Sequence, residues 1–495
     1  MKASENMPSV ILFNPSPRLG FQAHRRVDLP LNLLHPATPL VHAGFRVRLI
    51  DQFADPDWET KLQEALREKP VCFGVSCMTG PQIKRALAVC RTLKERYPDV
   101  PTVWGGIHPS ILPEQTLQHP LVDIVVIGEG EATLLDLVTT LADGKPLSGV
   151  AGIGYRENGR VRLTENRPFV DLNAQPPLAY ELVDVNRYRR KMFGADHVAY
   201  CSSRGCPFRC GFCYGGVVHR RKWRAKQPER VVEELTRLIR DYGIHGFNFT
   251  DDNLFTNMDH AHRLMEQIVR AKIKIRIGKL HIRIDAIRRM DNDFLDLLAG
   301  VGVERLTIGV ESGNQRVLDL IEKNLRVEHV LEASRKLIGR PFVPMYLFMM
   351  GLPTETPEEF RQSLRLAEQL LEENPRAAKT FNIYTPYPGT ALYQLAVQMG
   401  MKEPQRLEDW LPLNYRNVPA EAPWLMPGMR ELVLGLDFPL MFLGTNFQFK
   451  KTNPIVNLLG RLYLPVARYR VRNMDVRFPI ESKVVKALGL FGRQD

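Results

Sequence analysis

Residues 201–214 read Cys201-Ser-Ser-Arg-Gly-Cys206-Pro-Phe-Arg-Cys210-Gly-Phe-Cys213-Tyr214 and hold four of the seven cysteines of the chain. Cys206, Cys210 and Cys213 have the spacing C-x3-C-x2-C. Three thiolates so spaced can hold three irons of a four-iron cluster, leaving the fourth iron open to an incoming ligand atom. Structural zinc, with Cys201 as fourth ligand, is the competing reading. Zinc sites usually pair their cysteines in two C-x2-C knuckles far apart in sequence, whereas these three share one loop. An odd cysteine count in so long a chain also argues against a disulfide framework.

On the C-terminal side of this loop, short apolar runs alternate with amphipathic helical patterns. Strands are predicted near Val198–Cys201, Gly246–Thr250, Ile273–Ile277, Arg305–Val310, Pro344–Met349 and Thr380–Tyr384. Between the first two, Glu229–Arg240 carries Val231, Val232, Leu235, Leu238 and Ile239 as one stripe, and Pro228 suits a helix start. Six βα units predict a partial barrel over residues 197–410, with its chemistry at the carboxyl-end loops.

The N-terminal side repeats the alternation. The runs Val10–Phe13, Val47–Ile50, Val71–Val75, Thr102–Trp104 and Ile124–Ile127 read as buried strands, with a helix over Pro81–Tyr97. The fold class is therefore α/β, with a doubly wound, Rossmann-like sheet over residues 1–145. Ligands of such sheets sit beyond the carboxyl ends of the strands, at the switch point in strand order. Ser76-Cys77-Met78-Thr79-Gly80, Gly105-Gly106-Ile107-His108-Pro109 and Gly128-Glu129-Gly130-Glu131 fall at those ends. Glycine lets a backbone come close to a ligand, so successive glycine ends suit a large cofactor. Residues 146–196 are turn-rich and read as a hairpin, Gly152–Tyr155 with Val161–Thr164, followed by a connector. Residues 411–495 form a basic and apolar, mainly helical region.

The cysteine loop, with Phe212 directly before its third cysteine, resembles that of radical S-adenosylmethionine enzymes. Phe249-Thr-Asp251-Asp252-Asn253, Gly309-Val-Glu311-Ser312-Gly313, Gly351-Leu-Pro353 with Glu355, and Tyr387-Pro388-Gly389-Thr390 follow in the order of that family. The resemblance implies a [4Fe–4S] cluster whose open iron chelates S-adenosylmethionine and cleaves it to a 5′-deoxyadenosyl radical. It also implies S-adenosylmethionine contacts from Phe212, Asp251, Arg283, Glu311, Ser312 and Gly351. Other roles stay open: Asp251 and Asp252 as a helix cap, Arg283 as an ion-pair partner of Glu311 or Asp285. Glu311 on an apolar strand calls for a cationic partner.

The N-terminal half is similar to the cobalamin-binding domain that precedes the barrel in one branch of this family. On that basis Ser76, Thr79, Gly105, Gly106, His108, Gly128 and Glu129 are expected to contact cobalamin. The pattern D-x-H-x-x-G does not occur, so cobalt is expected without a histidine ligand from this domain. Together the two cofactors imply a radical C-methyltransferase for which S-adenosylmethionine is both radical source and methyl donor. An oxidative cyclase or rearrangement enzyme is the alternative, because the anaerobic magnesium-protoporphyrin ester cyclase shares this domain order. Hopanoid and bacteriochlorophyll methylases share it too, which implies a hydrophobic polycyclic lipid or tetrapyrrole-like substrate, or a secondary metabolite. The implied reductant is a flavodoxin- or ferredoxin-like protein.

Composition sets the outer bounds. The 495 residues are 44% hydrophobic and 25% charged, which excludes disorder and collagen-like chains. The net charge of +12 favours an anionic partner. From Trp424 to the end there are 11 Lys/Arg against 5 Asp/Glu, half of that charge in about a seventh of the chain. Tyr463 and Tyr469 among its arginines leave nucleic-acid binding as a non-catalytic alternative. The apolar–basic mix fits peripheral membrane contact better. No run offers the ~18–20 apolar residues of a membrane span. The N-terminal stretch has too short an apolar run for a signal peptide, which predicts a cytoplasmic location. Cys72, Cys77 and Cys90 are expected in the core, and Cys201 either in the core or facing substrate.

Overall fold

The computed structural model describes residues 7–16, 28–413, 418–443 and 454–477, of which 454–460 by backbone alone. The expected α/β class is observed. The first sheet contains β1 (Ser9–Asn14), β2 (Arg46–Asp51), β3 (Phe73–Ser76), β4 (Thr102–Gly105), β5 (Ile124–Val126), β6 (Ile153–Glu157) and β7 (Arg160–Leu163). Its order is β2-β1-β3-β4-β5-β6-β7, with the first five strands parallel. Strands covered on both faces need continuous apolar runs. In β1, Val10, Ile11, Leu12 and Phe13 are each at most 2% exposed. Helix Gln82–Arg96 presses Ile83, Ala86, Leu87, Cys90 and Leu93 onto this sheet. Cys72, Cys77 and Cys90 are buried, and desolvation pushes the thiols of Cys72 and Cys90 up to about 12.

The predicted hairpin forms, and β6 pairs antiparallel with β5, so it extends the first sheet. One expectation is corrected. The third barrel strand does not end at Ile277. It runs over Arg276–Arg283, through a register shift opposite Phe247 and Asn248 that accommodates Gly278. The polar residues Lys279 and His281 alternate with buried Leu280 and Ile282 and hid the strand from an apolar-run reading.

The second sheet contains β8 (Arg190–Met192), β9 (Ala195–Tyr200), β12 (Gly246–Phe249), β13 (Arg276–Arg283), β14 (Arg305–Glu311), β15 (Val343–Met350) and β16 (Ala378–Ile383). A two-residue ribbon, β10 (Ser203–Arg204) with β11 (Arg224–Ala225), stands between β9 and β12 in sequence. The order β16-β15-β14-β13-β12-β9-β8 gives six parallel strands, plus β8 antiparallel at one edge. Helix Pro228–Tyr242 starts on a proline as expected and buries Val231, Leu235 and Leu238.

Helices Met429–Leu440 and Pro454–Asn473 carry the C-terminal region. Parts of the predicted 411–495 region, namely 414–417, 444–453 and 478–495, lie outside the described residues. Among the described residues no helix is long and apolar enough to cross a membrane.

Candidate active site

The strand order 2-1-3-4-5 places the switch point between β1 and β3, and a cavity opens there. Its volume is about 330 Å³, and it is walled by Leu12, Val75, Val103 and Val126. Gly105, Gly106 and Gly128 form its rim. Gly106 has φ 94°, and a Cβ there would meet the Cys77 carbonyl oxygen at 2.8 Å. Gly128 has φ 81° with open space where a side chain would project. Ser110 braces the rim: its Oγ donates to the Gly106 carbonyl at 2.6 Å and accepts from the Gly128 amide at 2.9 Å.

The same cavity reaches the second sheet, where Cys201, Ser203, Arg204, Thr250 and Asp252 complete its wall. Arg204 joins the two halves. Its guanidinium donates to Glu129 at 3.0 Å and to Glu131 at 2.6 Å, and Arg224 donates twice to Glu129 at 2.8 Å. Burial alone would raise the Glu129 carboxyl, but Arg224 and Arg204 pull it below its ordinary value.

Two residues after Arg204 the cysteine loop begins. The Gly205 amide donates to Asp252 at 2.7 Å, and a Cβ on Gly205 would lie 2.1 Å from the Lys222 carbonyl oxygen. Further on, the Gly211 amide donates to the Ile321 carbonyl and its own carbonyl accepts from the Leu392 amide. Donors reach two of the sulfurs: Asn253 Nδ2 lies 3.9 Å from Cys206 Sγ, and Arg283 Nη1 lies 3.6 Å from Cys210 Sγ. Desolvation raises the Cys206 thiol.

A model of the radical SAM superfamily matches residues 200–367, and one of the B12 binding domain matches residues 28–138. An uncharacterized methyltransferase of Pyrococcus horikoshii is 31% identical over 375 residues, covering 74% of this chain and 78% of that protein. The anaerobic magnesium-protoporphyrin IX monomethyl ester cyclase of Synechocystis is 30% identical over 398 residues, 79% of this chain and 77% of that protein. The chain belongs to the cobalamin-dependent radical S-adenosylmethionine methyltransferase family. The cobalamin-dependent S-adenosylmethionine radical enzyme OxsB, solved with aqua-cobalamin and S-adenosylmethionine bound, shares the fold. It superposes with a TM-score of 0.71 at 18% identity, covering 98% of this chain and 75% of that one.

The cofactors of this family member are a [4Fe–4S] cluster, S-adenosylmethionine and cobalamin, and its residues fit them. The glycine-rimmed cavity leaves backbone close to a large ligand. His35, which sequence reasoning missed, lines it, and its buried Nε2 has no hydrogen-bond partner among the described residues. Ser76 lines the cavity as expected. Thr79 and His108 do not: they pair with each other at 3.0 Å, and His108 packs edge-on to Trp410 at 5.5 Å. Burial lowers His108 to about 4. Glu129 lines the cavity but is held by the arginines.

At the barrel end, Glu311 has φ 71° and its carboxylate pairs with Lys323 at 2.7 Å, both side chains buried. A buried carboxylate was expected to need a cation, and this chain supplies one 12 residues on. Lys323 Nζ also lies 5.8 Å from the centre of the half-buried Phe212 ring. Arg283 takes the Asp285 alternative and adds contacts of its own. It pairs with Asp285 at 2.8 Å, donates to the Lys323 carbonyl at 2.8 Å and covers Phe208 at 3.7 Å. Asp251 is turned inward, accepting from the hydroxyls of Ser202 and Ser203 at 2.6 Å each, and is no helix cap. The cap of the next helix is Asn257. Ser312 is fully buried and bonds Ser363 at 3.2 Å. Gly351 has φ 75° and donates its amide to Glu355 at 2.9 Å.

Proposed function

We propose that the enzyme transfers a methyl group to an unactivated carbon of a hydrophobic polycyclic, tetrapyrrole-like or secondary-metabolite substrate. The carrying observation is the shared cavity, in which the glycine ends of the first sheet face Cys201, Arg204 and Asp252 of the second, with the cysteine loop starting two residues beyond Arg204. In this reading Cys206, Cys210 and Cys213 hold three irons. Phe212, Glu311 and Gly351 border S-adenosylmethionine, and Ser76, Gly105, Gly106 and Gly128 border cobalamin. When bound, these groups supply a carbon radical and a transferable methyl group.

The chain's own part is placement. Asn253 and Arg283 donate towards the cluster sulfurs, an interaction that tunes such clusters. Lys323 fixes Glu311, and Asp251 and Ser312 brace the loops on either side. The buried arginine–glutamate network keeps the two halves in one register. A flavodoxin- or ferredoxin-like protein is the proposed electron donor.

The similarity to the Synechocystis cyclase supports a second reading, ring closure without methyl transfer. Products separate the two in the anaerobically reconstituted enzyme. Methylation yields S-adenosylhomocysteine and 5′-deoxyadenosine in equal amounts. A cyclase yields 5′-deoxyadenosine with no S-adenosylhomocysteine, and that outcome would end the methyltransferase reading.

A further inference from the structure

The two faces of the second sheet are unequally covered. On β15, Tyr346 and Phe348 are fully buried beneath the outer helices, while the neighbours Met345 and Leu347 are only half-buried. On β16, Phe381 is buried and Thr380 and Asn382 are half-buried. On β13 the half-buried positions are Lys279 and His281, either side of Leu280. Alternate residues of a strand face opposite sides, so the half-buried set lines an accessible lumen.

The walls of that lumen differ. Arg305 is the cross-strand neighbour of Lys279, one position before the Leu280–Leu306 pair. Arg190 and Arg305 both bear electrostatically on Lys279, as Lys279 and Arg305 do on His281. The one acid among the groups that act on Lys279 is Asp28, which Arg190 also approaches at 3.9 Å. Lys279 and His281 have no hydrogen-bond or ion-pair partner among the described residues. Burial pushes the Lys279 ammonium below its ordinary value, and Arg190 and Arg305 act in the same direction. A half-buried lysine with no hydrogen-bonded partner, set among two arginines and one acid, gains from binding an anion. The wall of Met345 and Leu347 is apolar.

We propose that Lys279, with Arg305 and Arg190, forms an anion-binding subsite in the barrel lumen that takes a carboxylate or phosphate group of the substrate. The inference rests on the methylation reading and narrows its substrate class. The substrate carries an acid group held by Lys279 and an apolar body against Met345 and Leu347, which excludes a neutral polycyclic hydrocarbon. Lys279 precedes Arg283 by four residues, so the subsite lies about 13 Å along the strand from the group that touches Cys210.

The test uses the reconstituted full-length enzyme and no turnover. Inorganic phosphate and carbon-labelled acetate are titrated separately, and binding is read from the broadening of their NMR lines. At least one anion binds the wild type, and which one distinguishes a phosphate from a carboxylate substrate. Lys279→Met weakens it by about tenfold or more, as loss of a charged hydrogen bond predicts, while Lys279→Arg retains it. Arg190→Met gives a smaller loss and keeps the test open should Lys279→Met not fold. Absence of binding to the wild type, or equal binding by Lys279→Met, overturns the subsite. Loss in Lys279→Met of the change that S-adenosylmethionine makes in the cluster's paramagnetic resonance signal also overturns it, since the lysine would then serve that cofactor. The methylation reading stands or falls on products, so either can fail alone.

Discussion

The carboxyl edges of the two parallel sheets face the same cavity and are built on opposite plans. Along the first sheet, Gly105, Gly106 and Gly128 leave the edge bare, and the aliphatic floor comes from Leu12, Val75 and Val126. Along the second, Asp251, Arg283, Glu311 and Ser312 fill the edge with side chains that already hold one another. A bare edge suits a large, rigid cofactor gripped by backbone and shape. A filled edge suits small groups that must be set to within a fraction of an ångström, because each side chain is locked by a second before any ligand arrives. The charged seam through Arg204 lies where the two plans meet.

This contrast can be broken most severely at the cysteines. Replacing Cys206, Cys210 or Cys213 by alanine should abolish bound iron and 5′-deoxyadenosine formation, while cobalamin retained on gel filtration stays at the wild-type level. Loss of cobalamin as well would mean that the bare edge depends on the filled one. The seam comes next. Arg204→Met leaves Glu129 and Glu131 buried with fewer cations and should cost roughly 3–5 kcal/mol in denaturant unfolding. It should also lower cobalamin retention with the cluster intact.

Glu355 tests how firmly the filled edge is preset. It is fully buried and accepts from the Gly351 and Leu352 amides, and burial pushes its carboxyl up to about 8 from an ordinary 4.5. A carboxyl raised in the folded state gives stability that is complete below about 4.5 and is lost as pH rises through about 8. Wild type should therefore weaken by a few kcal/mol between those limits. Glu355→Gln removes that slope, and unfolding curves at pH 5 and pH 8.5 measure the difference. Parallel slopes for the two proteins would show that Glu355 is ionised in the fold.

How much of this was readable in the chain follows the same divide. The strands of the first sheet are near-continuous apolar runs and their ends are glycine turns, so both the fold and the bare edge can be read locally. The cysteine loop is equally local. The side-chain pairings of the filled edge are not: Arg204 meets Glu131 across 73 positions, and Asp251 meets Ser202 across 49. Sequence periodicity carries no signal for such partners. Glu129, Thr79 and His108 thus read alike as cobalamin contacts although only Glu129 lines the cavity, and His35 was invisible on an ordinary helix. β13 was mislaid for a related reason. Its inner positions, Lys279 and His281, are polar where a buried strand is expected to be apolar.

The sheet orders also give the basic composition a physical home. β2 and β7 are the two outer strands of the first sheet, and β8 is an outer strand of the second. Of these, β7 carries Arg160 and Arg162 and β8 carries Lys191. An outer strand offers unpaired amides and carbonyls to any passing chain, and positive side chains repel a second edge of the same kind. Part of the +12 charge therefore acts as a guard against strand-to-strand aggregation. Neutralising Arg160 and Arg162 would then be felt as turbidity in concentrated solution, with catalysis untouched.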